Sequence, residues 1–107
     1  MFIATNNFTI TSGRESDFEQ QWRSRDSYLK DVPGILQFAL LKGDQPGEYV
    51  SQTVWKDREA FTAWTQSPAF GAGHRQGSLA GVMAAPPQVK LYDAVLVEAY
   101  GDAAGTR

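Results

Sequence analysis

The chain predicts an α+β domain with the element order β-α-β-β-α-β, and three observations carry that prediction. Strand patterns open and close the sequence, at 2–11 and 89–100. Two helical stripes, Phe18, Trp22 and Leu29 and then Ala60, Phe61 and Trp64, lie between them. A pair of β-branched and aromatic runs joined by a turn-forming cluster separates the stripes. At 107 residues, 42% hydrophobic and 12% aromatic, there is enough apolar side chain for one core and too little chain for a second domain. The expected domain is 1–100, with 101–107 a frayed, flexible tail.

In the first run, alternation puts Phe2, Ala4, Asn6, Phe8 and Ile10 on one face and Ile3, Thr5, Asn7, Thr9 and Thr11 on the other. Ser16-Asp17-Phe18-Glu19 then reads as a capping box, with Ser16 as N-cap and Glu19 reaching back. The first helix stops before Val32-Pro33-Gly34, because Pro33 disfavours helix at Val32 and Gly34 permits a turn. Ile35–Leu41 and Tyr49–Trp55 form a hairpin across Lys42-Gly43-Asp44-Gln45-Pro46-Gly47-Glu48. Asp57 caps the second helix. Ser67-Pro68 restarts a short helical turn that carries His74. Residues 77–88, small and with two prolines, read as a long surface loop, and Val89–Tyr100 is the last strand.

That order is the ferredoxin-like split βαβ arrangement, a four-stranded antiparallel sheet with both helices on one face. The hairpin strand carries apolar residues on both of its faces, Ile35, Ala39 and Leu41 against Leu36, Phe38 and Leu40. Helices cover only one side, so the other is expected to meet a second copy, giving a homodimeric α/β barrel. A net charge of −2 without a basic stripe excludes the electrostatic footprint of a nucleic-acid binder. The lack of cysteine removes disulfides, thiolate metal sites and cysteine nucleophiles. Met1-Phe2-Ile3-Ala4 has no basic region before it and turns polar at Thr5, so neither a signal peptide nor a membrane span is expected, and a cytoplasmic protein is.

Asn6 breaks the apolar face of the first strand. An amide buried without partners costs roughly 1–3 kcal/mol, so either a neighbouring backbone group or a ligand must satisfy it. His74 is the sole histidine. A zinc or non-haem iron site wants several protein ligands, which one histidine and no cysteine cannot supply. Haem needs only one axial ligand from the protein, because the porphyrin provides four nitrogens. Gly71 and Gly73 flank the imidazole closely enough for a flat ligand to approach, or else mark a loop with His74 exposed. Trp64 serves as core or as a surface pressing on a planar ligand. Trp22, Phe18, Phe61 and Phe70 supply further aromatic lining. Arg25, on the first helix's stripe, either snorkels to water or meets a ligand carboxylate. The spacing of Gly71, Gly73 and Gly77 misses a dinucleotide-binding fingerprint, and no Walker A sequence or nucleophile elbow occurs.

With Asn6, Trp64 and His74 in place, the sequence resembles the IsdG-like haem-degrading monooxygenases of the antibiotic-biosynthesis-monooxygenase superfamily. The resemblance rests on Asn6-Asn7-Phe8-Thr9-Ile10-Thr11-Ser12-Gly13, on Val32-Pro33-Gly34-Ile35, and on Thr53-Val54-Trp55-Lys56 through Ala60-Phe61-Thr62-Ala63-Trp64 to His74. It implies that His74 is the proximal iron ligand, that Asn6 hydrogen-bonds from the distal side to iron-bound dioxygen, and that Trp64 pushes the porphyrin out of plane. Trp22 stands where the family usually has a smaller aromatic residue. The implied reaction opens haem with O₂ and electrons from a reductase or small reductant and releases iron. Haem-contacting residues would be His74, Asn6, Trp22, Arg25, Phe61, Trp64 and Phe70. Two other activities remain compatible with the same residues: a cofactor-independent monooxygenase acting on a polycyclic phenol or quinol, and a haem-binding or storage protein without turnover.

Overall fold

The structure, a computed structural model, describes residues 1–24, 29–68, 70 and 81–100. The elements are β1 (Phe2–Thr9), α1 (Glu15–Ser24), β2 (Ile35–Lys42), β3 (Glu48–Trp55), α2 (Arg58–Thr65) and β4 (Gln88–Asp93). They form a four-stranded sheet in the order β2-β3-β1-β4 with every neighbouring pair antiparallel. Each helix-bearing connection steps over one strand, α1 over β3 and α2 over β1, which is the expected ferredoxin-like arrangement.

Local chemistry explains most boundaries and corrects several. Asp57 is the N-cap of α2, its side chain accepting the Ala60 N–H at 2.8 Å. The capping box at Ser16 does not form: α1 starts at Glu15, whose Oε1 accepts the Gly13 N–H at 3.0 Å. Glu19 is drawn instead to the sheet, where a tyrosine and two cations outbid a backbone amide. At the close of the turn before β2, Gly34 sits at φ +84°, and a Cβ there would come within 2.5 Å of the Ala60 Cβ. Glycine is required on both counts, and the close approach lets α2 settle on the sheet.

In β2 a bulge interrupts the register between Ile35 and Gln37. Ile35, paired with Trp55, therefore shares a face with Phe38 and Leu40, while Ala39 and Leu41 lie on the other; simple alternation had separated Ile35 from Phe38. The last strand is also shorter than expected. The ladder ends at Asp93, one more bond runs from the Ala94 N–H to the Met1 carbonyl at 2.9 Å, and 95–100 pair with no strand among the described residues. Within the expected surface loop, Val82 is instead buried at 4% exposure. Backbone bonds from Thr11 N–H to the Val82 carbonyl (2.7 Å) and from Ala84 N–H to the Thr9 carbonyl (2.8 Å) hold it against the end of β1.

The helix-covered face carries two apolar clusters. Phe8, Ile10, Phe18, Tyr49 and Val82, with Trp22, Leu40 and Met83 packed on them, form the cluster under α1. Phe2, Ala4 and Trp55, with Val32, Ile35, Ala60, Phe61 and Trp64, form the cluster under α2. Phe18 and Trp55 are fully buried and anchor their respective clusters. The opposite face has neither α1 nor α2 over it and mixes Ile3, Val50 and Tyr92 with Thr5, Asn7 and Gln52.

Candidate active site

The seam between the two clusters is a single row of the sheet. Reading across paired strands, it runs Leu40, Ser51, Asn6, Val89. Asn6 is half-buried on the helix-covered face, as alternation predicts, yet it lies on the row between two cores and belongs to neither. Its neighbour Asn7, on the opposite face, is tied down: its amide donates to Thr5 Oγ1 and to the Gln88 carbonyl, each at 3.2 Å. Among the described residues, neither the Asn6 carboxamide nor the Ser51 hydroxyl makes a side-chain hydrogen bond. Two adjacent asparagines thus have opposite fates, one satisfied by the fold and one left open to the cleft.

Aromatic side chains wall the cleft. Beside α1, Trp22 stacks on Phe38 (ring centroids 5.5 Å apart, planes at 21°) and meets Phe8 edge-on at 6.1 Å. Beside α2, Trp64 lies 5.4 Å from Trp55 and 6.2 Å from Phe61, and Phe70 abuts it in a T-shape at 4.9 Å. Ser67 helps place Phe70, since its Oγ donates to the Trp64 carbonyl at 2.7 Å and accepts the Phe70 N–H at 3.4 Å. The predicted Ser67 cap is therefore present. Along β4, Val89 and Leu91 stand 64% and 43% exposed on the same face as Asn6, an uncovered apolar flank. Aromatic rings on both sides of the row, an apolar flank and one amide without a hydrogen-bond partner suit a flat, largely apolar ligand with a single polar point of contact.

A charged cluster braces the α1 side. The Tyr49 hydroxyl donates to Glu19 Oε2, and Arg23 Nη2 and Lys42 Nζ approach the same carboxylate at 3.2 and 3.8 Å. Burial and then the bond to Glu19 push the Tyr49 phenol up to about 12. The Tyr49 hydroxyl, ahead of Lys42 and Arg23, holds the Glu19 carboxyl below its usual range.

Of the residues predicted from sequence, Trp22 packs in the cluster under α1, Phe61 and Trp64 pack in the cluster under α2 with Phe70 against Trp64, and Asn6 lies on the strand row between the two. His74 and Arg25, with Gly71 and Gly73, lie outside the described residues. Among the described residues, no group of three or more histidine, cysteine, aspartate or glutamate side chains could hold a metal ion. Ser51, Val89 and Leu91 went unrecognised in the sequence. Ser51 lies within the predicted second hairpin strand, and only its pairing with Asn6 shows that it borders the seam.

Residues 1–76 match the antibiotic biosynthesis monooxygenase family. The chain is similar to a staphylobilin-producing heme oxygenase of Staphylococcus aureus, with 32% identity over 76 residues that cover 69% of this chain and 71% of the relative. Among solved structures it is similar to the heme-degrader MhuD of Mycobacterium tuberculosis, which has two hemes bound in its active site. There the identity is 25%, with a TM-score of 0.74 and coverage of 92% of this chain and 99% of that one. SnoaB, a cofactor-independent oxygenase from Streptomyces nogalater, shares the fold at 23% identity and a TM-score of 0.69, covering 90% of this chain and 94% of that one.

Proposed function

The chain belongs to the antibiotic biosynthesis monooxygenase family and is IsdG-like within it, and from that premise we propose that it is a haem-degrading monooxygenase that opens the porphyrin and releases its iron. The observation that carries this reading is the unpartnered Asn6 carboxamide at the seam between two aromatic walls. The residues present fit haem as substrate: aromatic side chains stand on both sides of the Asn6 row, and a porphyrin asks the protein for one iron ligand, which His74 would supply. Bound haem would supply the iron at which O₂ is activated with electrons from an external donor, and the ring that is attacked.

The chain's own groups divide the remaining work. Asn6 would offer its Nδ2–H to the bound ligand, and once the ligand has displaced water a fixed donor stabilises developing negative charge far better than water does. Trp64, backed by Trp55 and Phe70, is too constrained to yield and would press on one side of the macrocycle. Trp22, held between Phe8 and Phe38, limits the opposite side. Phe61 completes the apolar lining, and Arg25 would meet a haem carboxylate.

The protein would act as a homodimer in the cytoplasm. Support for the dimer comes from the helix-free sheet face and from Leu36, Leu41 and Tyr92, which are 56%, 43% and 48% exposed. No described helix is long and apolar enough to cross a membrane.

Hemin titration of purified protein tests the reading. A histidine-type Soret band that disappears in His74→Ala supports it, and a band indifferent to that change refutes the ligand assignment. With ascorbate or a reductase, Asn6→Ala should keep hemin yet degrade it slowly. Failure of the wild type to bind hemin at all would favour the cofactor-independent oxidation of a polycyclic phenol or quinol with which the same residues are compatible. A Soret band that persists under reductant would indicate storage without turnover.

A further inference from the structure

A recess with a volume of about 400 Å³ opens beside Trp22, between α1 and the β2 edge. Phe38 and Leu40 pave its floor, and the Trp22 ring forms its inner wall. Its rim is polar and its charges do not cancel. Arg23 and Lys42 are 71% and 65% exposed, and both lean on the single carboxylate of Glu19. That carboxylate is already engaged, Oε2 by the Tyr49 hydroxyl and Oε1 by Arg23. Among the residues that line the recess, two cations stand against one anion, with the Glu15 carboxylate acting on Tyr49 from the first turn of α1.

Ligand pockets span roughly 300–1,000 Å³, and this recess sits at the small end of that range. Aromatic paving asks for a planar ring system, and the uncompensated rim charge asks for an anion. We propose that the recess between α1 and the β2 edge is a second small-molecule site, one that takes a planar aromatic carboxylate or sulfonate of two or three fused rings. The rings lie over Phe38 and Leu40 against Trp22, and the acid group turns outward between Arg23 and Lys42. The recess shares Trp22, Phe38 and Leu40 with the α1 side of the Asn6 row, and Glu19, Arg23, Lys42 and Tyr49 are its own.

The probe is 1-anilinonaphthalene-8-sulfonate, with N-phenyl-1-naphthylamine as its uncharged counterpart, each measured by equilibrium dialysis against the full chain. Arg23→Gln and Lys42→Gln together should raise the sulfonate's Kd about tenfold and leave the uncharged ring system unaffected. Added salt should weaken the sulfonate alone. Lys90→Gln, on the opposite face of the sheet, should change neither. Since both rim cations are largely exposed, these variants keep the fold, which far-ultraviolet circular dichroism checks. Equal binding of the two probes, indifference to the rim variants, or an equal effect of Lys90→Gln would overturn the proposal. Saturation with hemin separates the sites: a sulfonate Kd unchanged by hemin supports two sites, and competitive displacement shows that the recess is only an extension of the haem cleft. If hemin does not bind, the haem reading fails while the rim-variant test still decides this one.

Discussion

Replacing Asn6 by valine should make the protein more stable and less able to degrade haem. The strand-propensity scale spans about 1 kcal/mol from poor to good formers, and asparagine and valine lie near its ends. Valine would also lay two methyl groups beside Ala4 and the exposed Val89. At about 0.8 kcal/mol for each fully buried carbon, halved because the position is half-buried, that adds about 0.8 kcal/mol. No hydrogen bond to a described residue is lost. The sum, about 1–2 kcal/mol, corresponds to a Tm increase of roughly 4–8 °C in a domain of this size. Thermal unfolding of the haem-free protein, followed by circular dichroism, measures it. A lower Tm would mean that the fold satisfies the amide and that Asn6 is a structural residue, which would remove the basis of the site. In hemin turnover the same variant should lose about a hundredfold in rate, the usual cost of one preorganised donor, while still binding hemin.

Other outcomes follow from the same structure. Gly34→Ala should destabilise by at least about 1–2 kcal/mol from its left-handed backbone alone, with the Ala60 contact at 2.5 Å adding to it; adding Ala60→Gly should restore only the contact share in urea denaturation. Asp57→Ala should cost about 1 kcal/mol through loss of the α2 cap, and the same melts would show it. The Tyr49 phenol, raised to about 12, keeps its proton in the folded protein after the unfolded chain, near 10, has lost it. Its contribution is therefore complete below about pH 10 and fades between about 10 and 12, and Tyr49→Phe should flatten the stability profile there. Glu19 runs the other way: its lowered value stabilises above the unfolded range and is lost as pH falls through the folded one, so Glu19→Gln should remove an acid-side slope. In the dimer reading, Leu41→Glu with Tyr92→Glu should convert the sedimenting species to monomer, and an unchanged sedimentation coefficient would exclude the helix-free face as the interface.

Particular residues show where sequence reasoning reached and where it stopped. Asp57 and the Ala60, Phe61 and Trp64 stripe were legible because a cap and a helical period are local, decided within a few residues. The face of Asn6 was legible for the same reason. Glu19 misled because its local role, reaching back to a helix start, competed with Tyr49, which lies thirty residues away in sequence. The bulge at Leu36 misled because it depends on how β2 meets β3, and alternation counts only one strand.

Composition, the order of the elements and the chemistry available to one histidine and no cysteine were set by the sequence alone, since each depends on residue identity or on neighbours along the chain. What surrounds Asn6 was decided only by the tertiary structure. Strand pairing placed Ser51 and Val89 beside it, and the separate docking of α1 and α2 left the space between two cores into which its amide opens. Contacts of that kind join residues distant in the chain, and no local pattern records them.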